Sequence, residues 1–170
     1  MSILFLDFDG VLNSTLFMRS VFKDDFLTQQ TNETIESFDQ KRLDPKTFSL
    51  LNQIWDATGC LVVVSSQWRN EPLRNRHYLH WLLVSLGFKG YIWGCTPHMP
   101  ESNRSGEIRE YLRHLKSSGC DTSKYAILDD CDIYDHKEHF VKTNVEKTIT
   151  LVLGCMREVY NTNVIQRGMK

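Results

Sequence analysis

Cysteine is sparse in this chain of 170 residues: there are five, at positions 60, 95, 120, 131 and 155, and no two of them stand as C-x-x-C. An odd, widely spaced set defines neither a disulfide framework nor a zinc site, and reduced thiols in a cytoplasm are the expectation. Excess charge of either sign is missing too, because 20 Lys+Arg face 21 Asp+Glu. No global field draws the chain toward nucleic acid or a membrane surface, so an anionic ligand has to be held by local groups. No apolar run approaches the roughly 20 residues of a membrane span, and the acids at positions 7 and 9 without a basic flank argue against a signal peptide. Internal repeats and low-complexity stretches are also lacking. At this length one domain with a substantial core is expected over residues 1–170.

What is present is organised around Ile3-Leu4-Phe5-Leu6-Asp7-Phe8-Asp9-Gly10-Val11-Leu12-Asn13. An apolar run suited to a buried strand ends in two carboxylates spaced i, i+2, followed at once by a glycine that marks a sharp turn. In an extended segment Asp7 and Asp9 project to the same side and Phe8 to the other. Two such charges repel, and a divalent cation or a shared proton relieves the repulsion. A plain turn with solvated aspartates is the alternative reading of this motif alone.

Residues 14–43 read as an irregular insertion, with apolar Leu16, Phe17, Val21, Phe22, Phe26 and Leu27 ahead of a polar run over 28–34. Such a segment either packs its phenylalanines over the mouth of a site or forms a surface loop with a hydrophobic anchor. Asp44-Pro45 starts a helix whose apolar face is Phe48, Leu51, Ile54 and Trp55 and which Gly59 closes. Cys60-Leu61-Val62-Val63-Val64 follows as a strand covered on both faces. A second helix is expected from about Glu71-Pro72, with Leu79, Leu82, Leu83 and Leu86 inward before Gly87, and Tyr91-Ile92-Trp93 forms a third strand ending at Gly94. After a polar loop over 96–105, a helix presents Ile108, Tyr111, Leu112 and Leu115. Tyr125-Ala126-Ile127-Leu128 is the next strand, closed by Asp129-Asp130, and Phe140-Val141 and 149–153 are shorter strand candidates. Strands alternating with helices define an α/β domain with a mostly parallel sheet, where ligands bind at the carboxyl ends of the strands. Asp7 and Asp9, Ser65 and Ser66, and Asp129 and Asp130 all fall at those ends.

With these residues in place the chain resembles the haloacid dehalogenase superfamily. Asp7-Phe8-Asp9-Gly10-Val11 matches its opening motif, Val63-Val64-Ser65-Ser66 its second, Arg104 its third and Ile127-Leu128-Asp129-Asp130 its fourth. Ser65-Ser66-Gln67-Trp68-Arg69, Gly94-Cys95-Thr96-Pro97 and Arg104 with Glu107-Ile108 are similar, more narrowly, to small domains of that type found alone or in predicted RNA-repair proteins. The resemblance implies a Rossmann-like three-layer sandwich with little or no cap. It implies Asp7 as nucleophile, Asp9 as general acid and base, and an aspartyl-phosphate intermediate. It further implies Mg²⁺ held by Asp7, the Asp9 carbonyl and Asp129 or Asp130. Ser65 or Ser66 would bind the phosphoryl group together with Arg104, to which Arg109 is the competing cation. The sequence departs from the related domains over 143–148.

Trp68-Arg69 could receive a base or an aromatic phosphoester, a reading weighed against core packing for Trp68 and a solvated helix face for nearby Arg74 and Arg76. Asp132, Asp135, His136 and His139 match no metal spacing and read as a polar loop. The expected activity is that of a magnesium-dependent phosphatase. With only a short insertion, an open site would accept a bulky phosphoester such as a nucleic-acid end or a phosphoprotein, and a small metabolite if residues 14–43 close over it. A non-catalytic phosphate-binding protein is the rival from another class, and a phosphoacceptor signalling domain fits the D-x-D-G-V order poorly.

Overall fold

A computed structural model describes residues 2–22, 33–99 and 103–143 of the chain. Five parallel strands form one sheet: β1 (Ile3–Leu6), β2 (Leu61–Val64), β3 (Ile92–Cys95), β4 (Tyr125–Asp129) and β5 (Phe140–Lys142), in the order β3-β2-β1-β4-β5. The described α-helices are α1 (Thr15–Phe22), α2 (Ile35–Arg42), α3 (Pro45–Thr58), α4 (Arg76–Ser85) and α5 (Arg104–Ser117), with short 3-10 helices over Gln67–Asn70 and Tyr134–His139. Period-two alternation sorts the strands into two apolar faces. Leu4, Leu6, Val62, Val64, Ala126 and Leu128 pack with Phe48, Leu51 and Ile54 of α3 and Leu79, Leu82 and Leu83 of α4. Ile3, Phe5, Val63 and Ile127 pack instead with Ile108, Tyr111, Leu112 and Leu115 of α5. Each large side chain removed from water in this way contributes about 1.5–3 kcal/mol, which is why continuous apolar runs rather than alternating ones specify the central strands. The result is the three-layer, Rossmann-like α/β architecture that the sequence implies, with strand order reversing between β1 and β4.

Three local expectations need correction. Residues 14–43 are not wholly irregular, because α1 and α2 fall within them. Helix α2 is capped by Thr34, whose Oγ1 accepts from the Ser37 amide at 3.3 Å, yet it lacks an apolar stripe. It docks on α4 and the loop before it through a fully buried carboxylate, Asp39, which accepts from Arg74 Nε and Nη2 at 2.8 Å each and from the Tyr78 hydroxyl at 2.8 Å. Helix α4 starts at Arg76 and not at Glu71-Pro72, since Asn75 Oδ1 accepts from the amides of His77 and Tyr78 at 3.0 and 3.1 Å. Strand β3 continues through Gly94, where a Cβ would stand 2.4 Å from the Tyr111 hydroxyl. The glycine there admits a side chain of α5 and does not end the strand. Phe26, Leu27, the polar run over 28–32 and the strand expected at 149–153 lie outside the described residues. Among the described residues no helix is long and apolar enough to cross a membrane.

Candidate active site

The alternation that builds the core also loads the site. Phe5, Val63 and Ile127 face α5, so Asp7, Ser65 and Asp129, each two residues further on, fall on that same face at the carboxyl ends of neighbouring β1, β2 and β4. The backbone holds these ends together: the Ser65 amide donates to the Leu6 carbonyl at 2.9 Å and the Asp7 amide to the Leu128 carbonyl at 3.0 Å. Helix α5, capped by Asn103 Oδ1 on the Gly106 amide at 3.0 Å, begins with Arg104 over this point. Arg104 Nη1 lies 2.8 Å from Asp129 Oδ2 and 3.2 Å from Asp7 Oδ1.

Burial pushes the Asp7 carboxyl up, against the opposing effects of Arg104 and a hydrogen bond from the Ser66 side chain. Burial, with the charge of Asp7 behind it, raises Asp129 to about 7 despite Arg104. For Arg104 burial works against the charge, and the two carboxylates outweigh it, so the guanidinium stays protonated. Two buried acids thus share one cation, a deficit that suits a divalent ion. The available donors fit magnesium: Asp7, Asp129 and Asp130 offer hard carboxylate oxygens, and ligand atoms of Asp129 and Asp130 lie within 4.8 Å of one another. Cys131 shares that cluster, but burial and its acidic neighbours push its thiol up to about 11, which keeps it protonated and a poor ligand for a hard cation. Asp130 meets the opening loop, where Gly10 has φ 72° and a Cβ would stand 2.5 Å from Asp130 Oδ2. Any side chain at Gly10 would collide with that carboxylate.

A pH dependence follows for the metal-free protein. Asp129 has a raised pKa in the folded chain, so the stability it contributes is fully present below about pH 4 and is lost as the pH rises through about 7. Melting in EDTA is expected to fall from about pH 5 to about pH 8, with Asp129→Asn flattening the slope and Mg²⁺ restoring stability at the higher pH. An unchanged slope in the variant would remove Asp129 as its source.

The two serines differ. Ser66 Oγ accepts from the Trp68 amide at 3.4 Å and its hydroxyl engages Asp7, whereas Ser65 Oγ is fully buried without a protein partner. Thr96, in the loop after β3, likewise has a buried, unpartnered Oγ1. Buried orphan hydroxyls at strand ends are the kind of group a ligand oxygen satisfies.

Asp9 does not continue the strand. Backbone hydrogen bonds from Val11 and Leu12 to the Phe8 carbonyl start a turn there, so Asp9 stands in that turn and not in the extended segment. Its half-exposed carboxylate accepts from Asn13 Nδ2 and Trp68 Nε1, both at 2.9 Å, with Arg42 Nη2 at 3.6 Å. Trp68 is buried, packs on Phe8 at 5.3 Å, and has the guanidiniums of Arg42 and Arg74 at 4.3 and 4.8 Å from its ring. It serves the core and Asp9, and little of it faces a substrate. Arg69 is withdrawn further: its buried guanidinium donates to the carbonyls of Ser65, Ser66, Thr96 and Pro97 and to Glu107. It staples the loops after β2 and β3 to α5 and has no donor left for a ligand. The solvated helix face expected for Arg74 is also wrong, since that side chain is spent on Asp39.

Arg109 is exposed and pairs with Asp135 at 3.4 Å, apart from the carboxylate pair. The His136 ring meets the Tyr125 hydroxyl and the Ser105 carbonyl, and His139 stacks on Tyr125 at 3.8 Å, so the polar loop is internally bonded. Sequence reasoning missed Asn13, Arg42 and Thr143, whose hydroxyl donates to the Gly10 carbonyl at 3.0 Å. Asn13 carried a signal, an amide four residues beyond Asp9 in a turn; Arg42 and Thr143 carried none.

Strand-end carboxylates on β1 and β4, a hydroxyl on β2 and a cation at the start of α5 belong to a Rossmann-like α/β core of the haloacid dehalogenase type. More narrowly, the family model described as the HAD domain in Swiss Army Knife RNA repair proteins matches residues 3–152, and the chain belongs to that family. Neither the curated proteins nor the solved structures contain a match. Members of the haloacid dehalogenase superfamily are typically phosphohydrolases and generally magnesium-dependent.

Proposed function

We propose that the protein is a phosphomonoesterase that transfers the phosphoryl group of a nucleic-acid end to Asp7 and then to water. The observation that carries this reading is the buried pair Asp7 and Asp129 bridged by Arg104, beside the unpartnered hydroxyl of Ser65. In the first step an Asp7 carboxylate oxygen forms a bond to phosphorus as the ester P–O bond breaks, and Asp9 delivers its proton to the departing oxygen. In the second step Asp9 takes a proton from water, whose oxygen bonds to phosphorus as the acyl phosphate P–O bond breaks and Asp7 is regenerated. Ser65 and Arg104 donate to the phosphoryl oxygens throughout. Trp68 and Asn13 hold the Asp9 carboxylate by one hydrogen bond on each oxygen. Magnesium, bound by Asp7, Asp129 and Asp130, would supply positive charge to the phosphoryl oxygens and keep Asp7 ionised.

A bulky substrate suits the mouth. Among the described residues the insertion contributes only α1 and α2, of eight residues each, and α2 is committed to α4 through Asp39. The family's description as part of RNA repair proteins favours a nucleic-acid end over a phosphoprotein or a small metabolite. The test is a substrate screen in Mg²⁺ and in EDTA, using oligonucleotides phosphorylated at either end beside phosphopeptides and sugar phosphates. Magnesium-dependent release of phosphate from oligonucleotides is expected. Inactivity across the whole panel would assign the chain to phosphate binding without catalysis.

A further inference from the structure

A cavity of about 310 Å³ opens between the start of α5 and the loop after β4, with Gln67, Asn103, Arg104, Tyr134 and Asp135 in its wall. Arg104 belongs both to this wall and to the candidate phosphoryl site. Tyr134 is 71% exposed, although its turn is anchored from below by His136 and His139. Singly exposed aromatics are ordinary. An aromatic on an anchored turn that lines a cavity together with a phosphate-binding arginine is a stacking platform in search of a ring.

The polar lining says which ring. Asp132 and Asp135 also border the cavity, and each already has a cation: Lys142 at 2.6 Å and Arg109 at 3.4 Å, with the Ser105 hydroxyl adding a bond to Asp135 at 2.9 Å. Carboxylates accept and do not donate, so they suit N–H groups and discourage a second phosphate or an acidic peptide at this position. Gln67 adds an amide to the wall, its Oε1 already accepting from Asn70 Nδ2 at 2.6 Å. A flat π-system with N–H donors, tethered to one phosphate, is the complement of this surface.

We infer that the cavity receives the terminal nucleobase of a phosphorylated nucleic-acid strand, stacked on Tyr134 with its phosphate on Arg104. The inference rests on the phosphatase reading of the site and adds to it the group that is recognised. The test measures binding without turnover, using Asp7→Asn protein, Mg²⁺ and a fluorescent, terminally phosphorylated oligonucleotide. Adding Tyr134→Ala is expected to weaken binding about tenfold, Tyr134→Phe to leave it unchanged, and an oligonucleotide abasic at its terminus to lose the same factor and become insensitive to Tyr134→Ala. In the otherwise native protein, Tyr134→Ala should leave hydrolysis of glycerol phosphate unaltered. Equal affinity of the alanine variant, or of the abasic strand, would overturn the inference, and equal sensitivity of a phosphopeptide would reassign the cavity to peptides. The two readings fail separately. Tyr134-dependent binding by a wild-type protein inert toward every phosphoester keeps the cavity and removes the phosphatase, and turnover of oligonucleotides indifferent to Tyr134 does the reverse.

Discussion

Asp7→Asn is expected to lower kcat toward any phosphomonoester by at least about ten-thousandfold while leaving the protein folded. The amide matches the carboxylate in shape but is a far weaker nucleophile, and no other described carboxylate shares the Arg104 bridge except Asp129, on the next strand. Burial already pushes Asp7 toward its neutral form, so a neutral isostere costs the fold little. Arg104 keeps Asp129 as its partner in the variant. The melting temperature in EDTA should therefore equal or exceed that of the native protein. Turnover near the native rate in a well-folded variant would remove Asp7 as the nucleophile.

The second large effect concerns Asp9 and separates substrates by their leaving groups. Asp9→Asn should reduce kcat/KM about a hundred- to ten-thousandfold for alkyl phosphates, whose leaving oxygen needs a proton, and far less for a nitrophenyl phosphate, whose leaving group departs as an anion. Because kcat/KM reports the first transfer alone, the second role of Asp9, as a base toward water, does not blur the comparison. Trp68→Phe should show the same selectivity in weaker form, about tenfold for the alkyl ester and little for the aryl ester, since it removes the indole N–H on Asp9 Oδ2 together with part of the buried ring. The phenyl ring keeps an aromatic face beneath Arg42 and Arg74, whose guanidiniums lie over the Trp68 ring. An equal fall for both esters in either variant would show damage to packing and no part in proton delivery.

The central sheet and the polar residues at its strand ends were legible because one signal encoded both. Apolar runs at Ile3–Leu6, Leu61–Val64 and the start of Tyr125–Asp129 mark buried parallel strands, and the first polar residue on the α5 face of each is Asp7, Ser65 or Asp129. Helix α2 was not legible, because its one buried side chain is a carboxylate and its docking energy comes from Arg74 and Tyr78 rather than from a hydrophobic stripe. Arg69 misled for a related reason. Arginines beside a site usually reach toward solvent or ligand, and only three dimensions reveal that Glu107 and four carbonyls occupy this one. Strand alternation does not describe Asp9, since the turn starts at Phe8. Its neighbours Trp68 and Arg42 are 59 and 33 residues away in the chain, a juxtaposition no local pattern carries.

Transfer through Asp7 is the central step of the proposed reaction. The most direct measurement is the stereochemical course of hydrolysis of a phosphorothioate monoester made chiral at phosphorus with oxygen isotopes. Two in-line displacements, first by Asp7 and then by water, predict retention of configuration at phosphorus; inversion would mean a single displacement by water and would contradict the aspartyl-phosphate mechanism.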